Sequence, residues 1–279
     1  MKKLISYLFY LIAIISSVII IINIINFSEK LIILEKTQVI AGIRREVMLE
    51  PVVKLSQLSY ISEENDGGMQ SVESMIFATG FSISYNFETN TTIILTNDHF
   101  CESIDERSML LVENFNTDVV FAAPDRANEL IIKTREDLDL CAIKIFGYVR
   151  PAILSDIDYV PAPFEEIFIV GGPSGDFPII VDTYLSALIE RERIMMSEMN
   201  GTENKFLLIS EQVFPGHSGS PIYTRDGRVI GILFGALMSY GGIGASNKDI
   251  YFFLDTLWFL IFFFKDSDRD NILVICPVP

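Results

Sequence analysis

The sequence predicts an all-β fold, a barrel or a sandwich, on three observations. From Met75 onward, apolar runs of four to eight residues alternate with Asn, Asp, Gly and Pro, as short strands separated by turns do. Asp226-Gly227, set between Ile222-Tyr223 and Val229 to Phe234, is a tight-hairpin signal. Half of the 279 residues are apolar, enough for a sizeable core, and no internal repeat of fixed period interrupts the pattern.

In chain order, Met1-Lys2-Lys3 opens an apolar run from Leu4 to Ile25. As a helix, roughly 20 apolar residues match the thickness of a bilayer. Two lysines ahead of it favour a cytoplasmic N-terminus and an exported body. Residues 1–27 are therefore read as an uncleaved anchor. A cleaved signal peptide is the competing reading, with no clear small-x-small site to support it. Residues 28–50, mixed and bearing Arg44-Arg45-Glu46, read as a helical stem. The body, residues 51–264, opens on the strand signal Pro51-Val52-Val53-Lys54-Leu55, and Ile61 to Ser74 reads as a loop. Strands are expected over Ile93–Leu95, Leu110–Val112, Val119–Ala122 and Leu130–Ile132.

Tyr148 to Pro163, with Pro151, Pro161 and Pro163, links two lobes of about 51–150 and 164–264. Ile167–Val170, Ile179–Val181 and Phe206–Ile209 continue as strands, whereas Leu188 to Asn204 fits either a long hairpin or a surface loop. The aromatic run Ile250 to Phe264 is divided by Asp255, and the nine residues after that acid are too few to cross a bilayer. Its aromatic density around Trp258 leaves contact with a membrane surface as a second role. Residues 265–279 read as a loosely ordered tail.

The formal charge of −16 argues against a nucleic-acid surface, whose phosphates would repel it. Three cysteines, Cys101, Cys141 and Cys276, show no metal-ligand spacing and read as free thiols, with a Cys101–Cys141 bridge as the other possibility. No metal and no cofactor is expected.

Chemistry is concentrated in Gly216-His217-Ser218-Gly219-Ser220-Pro221. Glycines around a serine let backbone N–H groups converge on the oxygen of a tetrahedral intermediate. The chain holds two histidines, His99 and His217. His217 adjoins the serine and points elsewhere, so it reads as an exposed bystander and His99 as the base. The acid is sought in Asp139 to Ile145, with Asp137 as a rival; Asp98 is rejected because adjacent residues rarely aim at each other. The order His, Asp, Ser excludes the α/β-hydrolase elbow, which needs a histidine after the serine.

The chain resembles the trypsin-like (chymotrypsin-fold) serine peptidases, especially their bacterial and viral single-domain members. The resemblance rests on five collinear pieces: Ala78 to Ser84, Ile94 to His99, Asp139 to Ile145, Gly171-Gly172-Pro173-Ser174-Gly175, and the serine motif with Gly231-Ile232. It implies two six-stranded antiparallel β-barrels, a last strand at Ile250, an N-cap at Asp255 and a short closing helix. It also implies acyl transfer to water by His99, Asp139 and Ser218, with Gly216 and Ser218 N–H groups as oxyanion donors. Gln212, Leu233, Phe234 and Gly235 stand where the family binds the substrate side chain. Gln212 gives no electrostatic support for Lys or Arg before the cut, so a neutral or apolar side chain is expected there. The implied substrate is a protein or peptide. A catalytically silent barrel that binds a peptide or partner at the membrane is the reading from another class.

Overall fold

The computed structural model describes residues 47–61, 71–106, 108–123, 127–190, 205–237 and 241–263. The expected anchor, nearly all of the stem, the tail and Cys276 lie outside them. Among the described residues no helix is long and apolar enough to cross a membrane.

Among the described residues, fourteen strands form two barrel-like sheets. The first holds β1 (Val52–Ile61), β2 (Ser71–Asn86), β3 (Thr91–Thr96), β4 (Ser108–Glu113), β5 (Val119–Ala123), β6 (Ile131–Arg135) and β7 (Leu140–Phe146), in the order β5-β4-β1-β2-β3-β7-β6. The second holds β8 (Ile153–Leu154), β9 (Glu166–Gly171), β10 (Ile179–Glu190), β11 (Lys205–Ile209), β12 (Pro221–Thr224), β13 (Arg228–Leu237) and β14 (Gly241–Ser246). Its order is β12-β9-β10-β11-β14-β13-β8, and pairing of β12 with β13 closes six of these strands into a ring. The two-residue β8, drawn from the expected linker, pairs in parallel with β13 outside that ring. Each sheet thus has seven strands rather than six.

Alternation along the strands decides where each side chain goes. In β3, all six residues are buried: Ile93 and Leu95 enter one core while Ile94 enters another. β7 divides likewise, Leu140 and Ala142 on one side and Cys141, Ile143 and Ile145 on the other. In the second sheet, Phe168 and Val170 of β9 part from Ile167 and Ile169. The outcome is one core inside each barrel and a third, shared core that draws Val52, Phe81 and Leu95 from the first and Phe206, Tyr223 and Ile243 from the second. The two lobes are therefore one packed body.

Three expectations need correction. Ser71 to Ser74 belongs to β2 rather than to a loop, since it pairs with the far end of β1. Ile250 to Leu254 is not a strand, and Asp255 is not an N-cap. Both lie in a helix of 17 residues, Asn247–Phe263. Its start is fixed earlier by Ser246 and Asp249. The Ser246 hydroxyl and N–H both donate to Asp249 Oδ2, at 3.1 and 3.3 Å, and the Asp249 N–H reaches back to the hydroxyl at 3.5 Å. This is the reciprocal capping box of a serine and an acid three residues on. The helix buries Ile250 and Phe253 in the shared core, and from β6 the Lys133 Nζ and the Arg135 guanidinium each lie 4.9 Å from a ring, those of Phe253 and Phe252. Finally, Cys101 and Cys141 are not free thiols but a disulfide. The register of β3 and β7 sets Thr96 opposite Cys141, and the short helix Asp98–Glu102 that follows β3 carries Cys101 back to it.

The disulfide closes a loop of 40 residues. On the chain-entropy account such a loop contributes about 4 kcal/mol, and typical values are about 2–4 kcal/mol. The double variant Cys101→Ala/Cys141→Ala should lower unfolding free energy by that amount in urea titrations and raise the m-value, since the uncrosslinked unfolded chain exposes more surface.

Candidate active site

Three short segments carry the candidate catalytic residues. The first is the exit of β3. After Thr96 comes Asn97, fully buried, and then the short helix on whose first turn His99 sits. The second is the 3-10 turn Glu136–Leu138, which ends at Asp139 in the left-handed region, φ 51°, with the Asp139 N–H on the Glu136 carbonyl at 3.1 Å. Asp tolerates that region better than bulkier residues. The Asn97 amide donates to the Asp139 carbonyl at 2.9 Å, so the two segments are tied before their side chains meet.

The side chains meet squarely. The His99 backbone N–H donates to Asp139 Oδ1 at 3.0 Å, and Nδ1 lies 3.0 Å from Oδ1 and 2.9 Å from Oδ2. A carboxylate can only accept, so Nδ1 carries the proton and Nε2 is left as the basic nitrogen. This bond raises the His99 pKa above its ordinary 6.5, against the opposing effect of burial. Asp139 is only 13% exposed and His99 48% exposed, so the acid stands behind the ring and the ring faces the cleft. The disulfide repeats the tie two residues further on from each, at Cys101 and Cys141.

The rival acids are placed elsewhere. Asp137 is held by Arg135, through Nε to Oδ1 at 2.6 Å and through Nη2 to Oδ2. Asp98 is 4% exposed, and its Oδ1 has no hydrogen-bond partner among the described residues. Burial first, then the neighbouring Glu102, Asp139 and Glu136, pushes its pKa up to about 6.

The third segment is the serine turn. Gly216 and Gly219 take φ of 97° and 84°, and neither has room for a side chain. A Cβ at Gly216 would stand 2.3 Å from the Gly172 carbonyl oxygen, and one at Gly219 1.9 Å from the Thr79 carbonyl oxygen. The turn is clamped from three sides. From β2, Thr79 gives its N–H to the Ser218 carbonyl at 2.8 Å and its hydroxyl to the Gly216 carbonyl at 2.7 Å. From β13, Leu233 exchanges bonds with Gly219 and Ser220, at 2.8 and 2.9 Å. From the turn after β9, the Ser174 N–H holds the Pro215 carbonyl at 2.7 Å. In a trans peptide the C=O and the next N–H point opposite ways, so the Gly216 N–H faces away from Ser174. Neither the Gly216 nor the Ser218 N–H has a protein acceptor among the described residues. Ser218 is half-buried, its hydroxyl without a hydrogen bond among those residues.

Thr96 links the segments. Its hydroxyl donates to the Thr79 carbonyl at 2.7 Å, and it would meet a Gly219 Cβ at 2.5 Å. The strand that launches His99 therefore also supports the serine turn. Thr79, Thr96 and Asn97 were not singled out by sequence. Their identities are common in strands, and only the fold reveals what their polar atoms hold. His217, expected to be exposed, is 2% exposed instead, because its ring folds back under the turn against Gly171.

Of the residues expected to bind a substrate side chain, Gln212 is exposed near the turn. Leu233 and Phe234 put their side chains into cores, Phe234 against Phe206 with ring centroids 5.1 Å apart. Gly235 borders open space, with nothing within 4 Å of where a Cβ would be. Val213 and Leu233 converge on Gly242, where a Cβ would stand 3.0 and 3.1 Å from their methyl carbons. Val213 and Leu233 thus fill the space over Gly242 with aliphatic carbon as part of the second barrel's core.

Comparison with known proteins agrees with this fold. Among solved structures, the fold is similar to the Rv3671c protease from M. tuberculosis in its active form. The TM-score is 0.55 at 15% identity, covering 78% of this chain and 83% of that one. The inactive form of the same protease gives a TM-score of 0.53 at 16% identity, covering 78% and 92%. A search of curated protein sequences finds no match. The sequence profile of the trypsin-like peptidase domain matches residues 78–232, a span holding all three cleft segments. That match covers more than half of the chain, which therefore belongs to the trypsin-like peptidase family, a family of serine endopeptidases.

Proposed function

We propose that the chain is a membrane-anchored serine endopeptidase working through His99, Asp139 and Ser218. The single observation that carries the catalytic reading is the hydrogen bond of His99 Nδ1 to the Asp139 carboxylate, which leaves Nε2 basic on the cleft side. Ser218 Oγ attacks the scissile carbonyl while His99 Nε2 takes its proton. The oxygen of the tetrahedral intermediate is held by the Gly216 and Ser218 N–H groups. His99 then protonates the leaving amine, and water repeats the cycle on the acyl-enzyme. Asp139 fixes the tautomer and stabilises the imidazolium.

Two further features support the finer reading. Gln212 supplies no charge, which favours a neutral or apolar side chain before the cut. The Cys101–Cys141 disulfide suits an oxidising compartment, which is the side to which Lys2-Lys3 and the Leu4–Ile25 run would deliver the body.

A fluorophosphonate probe should modify Ser218 in the wild type and not in Ser218→Ala or His99→Ala; folded wild type that never labels would instead indicate a silent binding barrel. Asp139→Asn should lower kcat by about 10⁴-fold. Because the carboxylate raises the His99 pKa, the neutral base accumulates only above 6.5. The acid limb of kcat/KM should therefore have its midpoint above that value in the wild type and move down in Asp139→Asn. The ion pair itself runs the other way: its stabilisation is present below the unfolded pKa and fades as pH rises through the folded one.

For the anchor, alkaline carbonate extraction should leave the full chain in the membrane pellet and release a chain lacking residues 1–27. Release of the full chain would remove the anchor from the proposal.

A further inference from the structure

His217 has no part in the mechanism above, yet few side chains near Ser218 are more constrained. The ring is 2% exposed. Its Nδ1 accepts the Phe214 N–H at 3.3 Å, while the His217 N–H donates to the Phe214 carbonyl at 3.1 Å. His217 therefore closes the turn Phe214–His217 twice, once with its backbone N–H and once with its ring, with Gly216 inside it. An accepting Nδ1 is unprotonated, so the neutral ring carries its proton on Nε2. That Nε2 is buried and has no partner among the described residues, as is true of the Ser220 hydroxyl. A Cβ at Gly171 would stand 2.1 Å from Ser220 Oγ and 3.1 Å from both His217 Cδ2 and Thr79 Oγ1. These groups thus converge on one point beneath the serine.

The packed elements bring hydroxyls and backbone to this ring. Thr79 comes from β2, Gly171 from β9 and Ser220 from the approach to β12. None of these is titratable, and Asp176 on the turn after β9 is exposed. Burial lowers the His217 pKa below its ordinary 6.5, against a smaller opposing effect of the backbone bond to Phe214. An imidazolium here would turn two N–H donors inward, one of them against the Phe214 N–H, with no counter-charge supplied.

We infer that His217 is a positioning residue, a proton-sensitive latch that keeps the Gly216 and Ser218 N–H groups facing the cleft while its ring is neutral. The inference rests on the peptidase reading. Protonation removes the acceptor for Phe214 and frees the turn, so the oxyanion donors lose their aim. Because those donors act on the transition state more than on bound substrate, the effect falls on kcat rather than KM.

The test is a pH series on the full chain with a peptide substrate. In the wild type, log kcat should fall with one proton on first acidification, as His99 charges, and steepen to two at lower pH. Circular dichroism should stay constant over that range. His217→Asn offers an amide oxygen as a non-titrating acceptor; it should keep kcat within a few-fold at neutral pH and show one proton throughout. His217→Leu should lose about 10²-fold in kcat at unchanged KM. If that variant does not fold, the wild-type and His217→Asn profiles decide alone. A wild-type limb of one proton overturns the latch. So does a two-proton limb that persists in His217→Asn, which would assign the second proton to Asp98. An active enzyme with either result loses only the latch. Folded wild type with neither turnover nor fluorophosphonate labelling at any pH loses the peptidase reading and the latch together.

Discussion

The arrangement depends first on Thr79, a fully buried residue of β2. Its N–H and hydroxyl hold the carbonyls of Ser218 and Gly216, its carbonyl accepts the Thr96 hydroxyl, and its own hydroxyl accepts the Gly172 N–H at 3.0 Å. One side chain and its peptide groups thus bind the serine turn, the strand leading to His99 and the turn after β9. A typical hydrogen bond adds only about 1 kcal/mol net, whereas a buried partner left unsatisfied costs about 1–3 kcal/mol. The weight of Thr79 therefore lies in what its loss would strand. Replacing its side chain would strand two buried groups, the Gly216 carbonyl and the Gly172 N–H, while the backbone bonds to Ser218 and Thr96 would remain.

Apolar packing supplies the stiffness behind that node. The shared core takes alternate residues of β3, β7, β9 and β11, so each of these strands is buried on both faces. A shift of one barrel against the other would have to move side chains in all three cores at once, and close-packed interiors resist that. The three candidate segments adjoin β3, β7 and β12, strands whose side chains enter more than one of these cores. This is the preorganisation that stabilising a developing oxyanion needs, since donors aimed in advance cost nothing to reorganise during the reaction.

Much of this was legible in the sequence, and for identifiable reasons. Strands such as Ile93–Leu95 and Phe206–Ile209 show their short apolar runs between turn residues, and Asp226-Gly227 turns where it should, with Gly227 at φ 85°. His99 and Asp139 stood out by position at strand ends, although only the Arg135 ion pair, invisible in one dimension, takes Asp137 out of contention. Ile250 to Leu254 misled because a short apolar run fits a strand or a buried helix equally well, and the Ser246/Asp249 box that settles it lies upstream. Cys101 and Cys141 are 40 residues apart and become neighbours only through the β3–β7 register. His217 could not be placed by adjacency, since whether its ring points out or under is set by the φ of Gly216.

The pairing of β6 with the closing helix carries a consequence for the acid. Lys133 donates to the Phe253 carbonyl at 3.3 Å, and its pKa is drawn down to about 8 by burial, so its stem and head are both committed to that contact. Arg135 lies over Phe252 and also grips Asp137, the residue two places before Asp139. The last helix and the turn that leads into Asp139 are therefore both tied to the three residues 133–135. A displacement of the closing helix would thus be felt first by the strand that leads into Asp139.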